Sequence, residues 1–161
     1  MNRSLKGQRG FSLLELLIVL AIIAILVAIL MPGLLLAKMI SNERATVATM
    51  REVTIAQGIY FAKTDTYDML SVLEAQEYVG LGVADFVEAA DGTASFKKSG
   101  YDFDFTVGAT KRTFAITSVP IEYEWTGEEG YFVNQSGVLR FVPDANPANP
   151  FVLDATCDAL D

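Results

Sequence analysis

The chain has 161 residues, with 20 acidic and 12 basic side chains, a formal net charge of −8, no histidine and one cysteine. This length fits one globular domain plus one membrane-spanning segment. The acidic balance argues against nucleic acid as the main partner, because phosphate binding requires a basic surface. Zinc sites built from cysteine and histidine are excluded, and the lone Cys157 cannot form an intramolecular disulfide.

The first feature in chain order is a basic N-terminus followed by a long apolar run. Arg3, Lys6 and Arg9 precede this run, and residues 16–37 contain no charged side chain. A helix of these 22 residues would be about 33 Å long, and the hydrocarbon core of a bilayer is about 30 Å thick. The run is therefore predicted to span a membrane, with the N-terminus in the cytoplasm, because positive charges stay on that side.

A carboxylate, Glu15, lies close to the start of the apolar run. An ionisable group costs about 2.5 kcal/mol or more at the centre of a bilayer and less near an interface. Residues 11–37 contain no cation that could pair with it. The run also lacks the small-x-small site of a secretory signal, because Ala21, Ala24 and Ala28 are never two residues apart. Glu15 therefore needs a partner from outside this segment.

The order of these features resembles the prepilin signature of type IV pilins and type II secretion pseudopilins. The signature is a short basic leader ending in Gly10, followed by Phe11, Glu15 and an apolar helix. In that family a dedicated membrane peptidase cuts after the glycine and methylates the new N-terminal residue. The resemblance implies cleavage between Gly10 and Phe11 and an N-methylated Phe11. It also implies that Glu15 pairs with the Phe11 amine of an adjacent subunit.

The same resemblance divides the chain into a leader (1–10), a transmembrane and assembly half of the N-terminal helix (11–37) and an extracytoplasmic globular domain (38–161). It implies a structural subunit, not an enzyme, of a type IV pilus or a type II secretion pseudopilus. The implied partners are further copies of the chain, the prepilin peptidase, an inner-membrane assembly platform and membrane lipid. The implied location is a bacterial inner membrane, crossed once with the C-terminal domain in the periplasm, and afterwards a periplasmic or cell-surface filament.

Pro32 and Gly33 interrupt the apolar run. A proline inside a helix removes one hydrogen bond and crowds the carbonyl four residues earlier, which here belongs to Ala28. The sequence therefore predicts a kink between Ala28 and Pro32. The resemblance implies that Pro32 acts in assembly, since a proline at this place in the family marks the segment that loosens as subunits join. An ordinary transmembrane kink is the alternative.

The helix is predicted to continue from about Phe11 to about Ala62, with an amphipathic second half. The apolar stripe of that half consists of Ile40, Val47, Met50, Val53 and Tyr60. A short second helix is predicted within Met69–Val79. The segment 83–99 has no clear pattern, and the tail from Pro143 is predicted to be irregular.

Four strands are then predicted, the first two from period-two alternation of apolar and polar residues and the last two from apolar runs on either side of a turn. Their ranges are Tyr101–Val107, Thr113–Val119, Tyr131–Val133 and Val138–Val142. The last two flank a hairpin turn at Asn134–Gly137. The residues expected to face inward are Tyr101, Phe103, Phe105 and Phe114. The predicted fold is α+β and pilin-like: a long N-terminal helix, whose apolar first half spans the membrane, packed on a four-stranded antiparallel sheet.

Glu122 and Glu124 are minor candidates for a calcium site. Two residues apart on an extended chain they would share a face, and calcium favours oxygen ligands. The alternative is a solvated charged turn, and no other metal or cofactor is predicted. The alternative function is a signal-anchored extracytoplasmic binding domain that acts as a monomer. Gly10 and Glu15 argue against it, because a monomeric anchor needs neither residue.

Overall fold

The structure is a computed structural model that describes residues 11–80, 82, 87–89, 91–146 and 158–159. The chain divides into two compact units, one ending at Leu36 and the other beginning at Ala37. One helix, α1 (Leu13–Thr64), contributes to both units. The predicted leader, including Gly10, and the lone Cys157 lie outside the described residues.

In the first unit, α1 is apolar on all sides. Its large side chains are exposed all round, with Ile29 at 70% and Leu34 at 73%. Among the described residues, α1 is the one helix long and apolar enough to cross a membrane, and none of its most apolar window is buried inside this chain. A helix that is apolar all round must be covered by lipid or by other chains. The segment therefore fits a membrane-anchored protein.

In the second unit, α1 buries only one face. The buried residues are Met39, Thr46, Thr49, Met50, Val53, Ala56, Gln57 and Tyr60. Most are spaced by three or four positions, which places them on one side of a helix. The predicted stripe was right for Met50, Val53 and Tyr60 and wrong for Ile40, which is exposed, while the polar Gln57 is fully buried.

Within the described residues, the sheet has seven antiparallel strands that follow one another in chain order. The strands are β1 (Val87–Glu88), β2 (Thr93–Lys98), β3 (Tyr101–Val107), β4 (Phe114–Pro120), β5 (Gly130–Asn134), β6 (Arg140–Val142) and β7 (Asp158–Ala159). Each strand pairs with the next one along the chain, so the sheet is a meander.

The prediction of four strands was wrong in number. The four predicted strands are present as β3 to β6, but β1 and β2 precede them and β7 follows within the tail predicted to be irregular. β2 joins β3 through Ser99 and Gly100, whose φ angles of 51° and 78° are both positive. Two positive φ angles define the type I′ turn that closes two-residue hairpins. This Ser-Gly turn was the sequence signal for β2.

The core lies between the sheet, the second half of α1 and the short helix α2 (Leu70–Ala75). The four predicted inward aromatics, Tyr101, Phe103, Phe105 and Phe114, are all buried, as expected. Phe96 of β2 stacks on Phe103 with ring centroids 4.7 Å apart. Because each large aromatic side chain buries about 150–250 Å², these residues supply much of the apolar area that holds the sheet on the helix.

Candidate assembly site at the start of the helix

The residues predicted to be cut and methylated lie just before α1. Gly10 is outside the described residues, and Phe11 is the first residue that the structure describes. The Phe11 side chain is 80% exposed. Cleavage between Gly10 and Phe11 therefore stays a prediction, and it would leave a free amine two residues before the first residue of the helix.

Ser12 caps the N-terminus of α1. The backbone N–H of Leu14 donates to Ser12 Oγ at 3.3 Å, and the N–H of Leu16 donates to the Ser12 carbonyl at 3.2 Å. Glu15 completes the arrangement, because its Oε2 accepts a hydrogen bond from the Ser12 N–H at 3.2 Å. This is a variant of the capping box: Glu15, the third helical residue, accepts from the Ser12 N–H, whereas the Ser12 hydroxyl accepts from Leu14 and not from Glu15. The sequence Ser12-Leu13-Leu14-Glu15 carries the signature of this motif, which was not among the predictions.

The capping box changes the expected environment of Glu15. The sequence showed no cation for this carboxylate within residues 11–37, and the structure adds a neutral partner, the backbone amide of Ser12 just before the helix. The carboxylate also lies in the first turn of α1, where the helix dipole favours negative charge. Its second oxygen, Oε1, accepts no hydrogen bond from any residue in the described part of the chain. Glu15 is thus held in place with one acceptor still available.

Pro32 lies inside α1, and the helix continues through it. Because proline has no N–H, the carbonyl of Ala28 loses its usual helical donor. The role of Pro32 in assembly stays a prediction.

The premise behind the calcium candidates was wrong. Glu122 and Glu124 do not lie on extended chain, because Glu124 has a φ of 62° and the N–H groups of Trp125 and Thr126 both donate to the Glu122 carbonyl. The segment is a compact turn, so the two side chains do not share a strand face. No group of three or more potential metal ligands occurs among the residues described.

A second polar cluster ties the loop 121–130 to α1. Asn42 Nδ2 donates to the Thr126 carbonyl at 2.8 Å, and the Glu128 N–H donates to Glu43 Oε1 at 3.1 Å. Burial raises the pKa of the Glu43 carboxyl above its ordinary value, and the charge of Glu129 adds to this, while the hydrogen bond from the Glu128 amide opposes it. The two hydrogen bonds join residues that are separated by 84 and by 85 positions in the sequence. No short-range sequence pattern could have revealed them.

The carboxylate of Glu129 completes this cluster. It accepts a hydrogen bond from the Tyr131 hydroxyl at 2.6 Å, while the Tyr101 hydroxyl donates to the Glu129 carbonyl at 2.9 Å. Burial raises the pKa of both phenols. Both tyrosines are therefore neutral hydrogen-bond donors that fix the end of the loop against the sheet.

Comparisons with known proteins agree with the geometry at the start of α1. Residues 5–31 match the family model described as the prokaryotic N-terminal methylation motif. The chain is also 40% identical over 63 residues to the type IV wide pilus major component PilA4 of Thermus thermophilus. This match covers 39% of the chain and 48% of PilA4, so it spans about half the length of that relative. No solved structure matches the chain significantly.

The matched residues include Phe11, Ser12 and Glu15, and the structure joins the last two by a hydrogen bond at the start of α1. The second unit carries the rest of the expected architecture, a helix packed on an antiparallel sheet. The N-terminal motif, the similarity to PilA4 and this helix-and-sheet architecture support a type IV pilin family for the chain.

Proposed function

We propose that the chain is the structural subunit of a type IV pilus, made as a precursor that a prepilin peptidase cleaves between Gly10 and Phe11. The observation that carries this proposal is Glu15, a carboxylate held at the start of a helix whose most apolar window is not buried by any described part of the chain. The similar protein from Thermus thermophilus is a major pilus component, which favours a pilus over a secretion pseudopilus. The subunit is structural and has no enzymatic role.

Before assembly the subunit is anchored by the first half of α1 in the inner membrane. Arg3, Lys6 and Arg9 keep the N-terminus in the cytoplasm, and the globular second unit lies in the periplasm. The peptidase therefore acts at the cytoplasmic face, where it also methylates the new amine of Phe11. An assembly platform in the same membrane then moves the subunit into the filament, and Pro32 loosens the helix during this step.

Apolar side chains alone give helices little tendency to associate in lipid, because the lipid tails are equally apolar. A polar contact must therefore set the register between neighbouring subunits. Within the described residues, the Glu15 oxygen Oε1 accepts no hydrogen bond, and cleavage creates a cation on Phe11. We infer that the Glu15 carboxylate of one subunit pairs with the Phe11 amine of the next. Removing one partner of such a desolvated pair costs about 3–5 kcal/mol.

The test compares Glu15→Ala with Glu15→Gln, each as the sole source of the subunit in the native cell. Glutamine keeps an acceptor oxygen for the Ser12 N–H and so preserves the capping box, but it removes the charge. Both variants should be inserted in the membrane and cut before Phe11, as N-terminal mass analysis of the extracted protein would show. Both should fail to form filaments, or form far fewer, by electron microscopy of sheared material.

The glutamine variant separates the two roles of Glu15. Normal filaments from Glu15→Gln, but none from Glu15→Ala, would mean that the residue acts only as a helix cap. Normal filaments from both variants would refute the pairing, whereas the absence of filaments from wild type would favour the monomeric anchored domain. A mature N-terminus beyond Ala28 would instead indicate a conventional signal peptidase and overturn the precursor assignment.

A further inference from the structure

A groove of about 790 Å³ lies along the exposed side of α1 in the second unit. Its apolar lining includes Ile40, Ala48, Ile55 and Tyr78. Ile55 is 62% exposed and Ile40 is 39% exposed. A concave apolar surface of this kind, rimmed by charged residues, is typical of an interaction site.

Of the charged side chains that line the groove, the carboxylates have hydrogen-bond partners within the chain and the two arginines have no ion-pair partner among the described residues. Its three carboxylates are all engaged within the chain: Glu43 accepts from the Glu128 N–H, Glu129 from the Tyr131 hydroxyl, and Glu52 from the Gly80 N–H. Its two cations, Arg44 and Arg51, form no ion pair with any residue that the structure describes. The groove therefore presents two unpaired guanidinium groups to an incoming partner.

Arg44 and Arg51 lie on the same side of α1. Seven residues separate them, which is close to two helical turns, or about 10.5 Å along the axis. Between them lies Ala48, whose small side chain leaves room on the helix surface. A partner that places an apolar group over Ala48 could therefore reach both guanidinium groups with acidic side chains.

A matching projection occurs elsewhere on the same chain. Trp125 is 61% exposed at the tip of the 121–126 turn, with the exposed acids Glu122 and Glu124 beside it. Neither acid forms an ion pair within the described residues. The turn is held by the hydrogen bonds of Trp125 and Thr126 to Glu122 and is anchored to α1 through Asn42. The tryptophan is thus displayed on an ordered turn, so docking it costs little conformational entropy.

We propose that the 121–126 turn of one copy docks into the α1 groove of a second copy. Trp125 enters the apolar part of the groove, while Glu122 and Glu124 meet Arg44 and Arg51. An indole is also the best aromatic partner for a guanidinium group, and tryptophan and arginine are the residues most enriched at binding hot spots. This inference rests on the proposed filament function and names one of its contacts.

The occupant is a second copy because both halves of the contact are on one chain. Trp125 does not line the groove of its own chain, so the projection and the groove are available at the same time. A contact between two different surfaces of identical subunits is heterologous, and it produces an open helical assembly wherever the rotation does not close into a ring. Such a contact suits a filament.

The first test uses Trp125 as a natural probe, since it is the only tryptophan in the sequence. Its emission is compared among sheared wild-type filaments, the detergent-solubilised subunit and the full chain diluted in lipid vesicles. In filaments the emission maximum should shift to the blue and acrylamide quenching should fall severalfold. Equal quenching in filaments and detergent would overturn the proposal. Equal protection in vesicles without filaments would also overturn it, because lipid would then cover Trp125.

The second test reverses the charges on each side. Arg44→Glu with Arg51→Glu, and separately Glu122→Arg with Glu124→Arg, should each cause a severalfold loss of filaments. Combining all four substitutions should restore a substantial part of the yield. The control Lys97→Glu with Lys98→Glu on β2 makes the same change in net charge as the arginine reversal, outside both surfaces, and should leave the yield unchanged.

The outcomes separate this inference from the proposed function. One outcome would overturn the docking contact alone: wild type and both charge-reversed variants form filaments, while Glu15→Ala forms none. Loss in both reversals without recovery in the fourfold variant would also overturn it. If the wild type forms no filaments at all, the proposed function and the docking contact fail together.

Discussion

The carboxylate of Glu15 accepts a hydrogen bond from the backbone N–H of Ser12, with 3.2 Å between Oε2 and the nitrogen. The residue just before the helix therefore supplies a partner to this acid within the same chain. The amide that donates this bond is one residue after the amine that cleavage would create on Phe11. The capping box thus places the carboxylate at the end of the helix where the proposed intersubunit pair must form.

Replacing Ser12 with alanine should loosen the start of α1 without removing Glu15. The hydroxyl that accepts from the Leu14 N–H is lost, which costs about 1 kcal/mol at a helix N-cap. The Leu14 amide should then exchange with solvent about fivefold faster. Hydrogen exchange of the full chain in detergent micelles measures this rate. Ser12→Thr is the control that keeps the cap, and equal exchange in Ser12→Ala and wild type would contradict the assignment.

Glu43→Gln should stabilise the second unit at pH 7 but not at pH 3.5. Burial raises the pKa of Glu43, so its charged form is less favourable in the folded than in the unfolded state. That penalty is present at pH values above the folded pKa and disappears below the unfolded value of about 4.3. Because Glu43 is only partly buried, the expected gain is below about 1 kcal/mol, or up to about 4 °C in Tm.

Thermal unfolding of the detergent-solubilised chain, followed by near-ultraviolet circular dichroism, checks the Glu43→Gln prediction. Glutamine still accepts the hydrogen bond from the Glu128 N–H, so the packing of the loop is retained. Glu77→Gln, at an exposed position on the chain, is the matched control and should change little at either pH. A gain of the same size at both pH values would argue against a cost of ionisation.

Gly127→Ala and Gly58→Ala should change stability in opposite directions. A Cβ on Gly127 would lie 2.7 Å from Tyr101 Cζ, closer than real contacts allow, so the buried tyrosine ring must move. The expected loss is about 1–3 kcal/mol. A Cβ on Gly58, inside α1, meets nothing within 4 Å, and alanine there should stabilise by about 0.5–1 kcal/mol. Denaturant unfolding measures the change in the free energy of unfolding for each variant. A Gly127→Ala variant that is more stable than wild type would contradict the close contact between Gly127 and Tyr101.

Gln57→Leu should destabilise the second unit although leucine is the more apolar residue. The Gln57 side chain is fully buried. Its Nε2 donates to the Asp68 carbonyl at 2.6 Å and its Oε1 accepts from the Asp68 N–H at 3.3 Å. Leucine would leave both backbone groups without these partners, at a cost of about 1–3 kcal/mol.

The same denaturant titration tests Gln57→Leu. Ile59→Leu, on the exposed face of the same helix, is the control and should stay within about 0.5 kcal/mol of wild type. Equal midpoints for wild type and Gln57→Leu would show that the Asp68 backbone groups find other partners.

The sequence alone determined every feature that depends on neighbouring residues. The apolar run, the acid at Glu15 and the basic residues before it are local patterns, and they carry the resemblance to type IV pilins. Strands β3 and β4 were predicted because their apolar and polar residues alternate with a period of two. Strands β5 and β6 were predicted because two apolar runs flank a hairpin turn. The capping box was equally local, since Ser12 and Glu15 are three residues apart.

Only the tertiary structure decided which groups from distant parts of the chain meet. The exposure of Ile40 and the burial of Gln57 follow from what the sheet and the Asp68 loop cover, not from hydropathy. Glu124 was read as extended because its residue type gives no sign of a positive φ. The hydrogen bonds from Asn42 and Glu43 to the 121–130 loop join residues more than 80 positions apart in the sequence. Such contacts depend on how the whole meander closes against α1, because pairing over that distance is set by the packing of both partners and not by either segment alone.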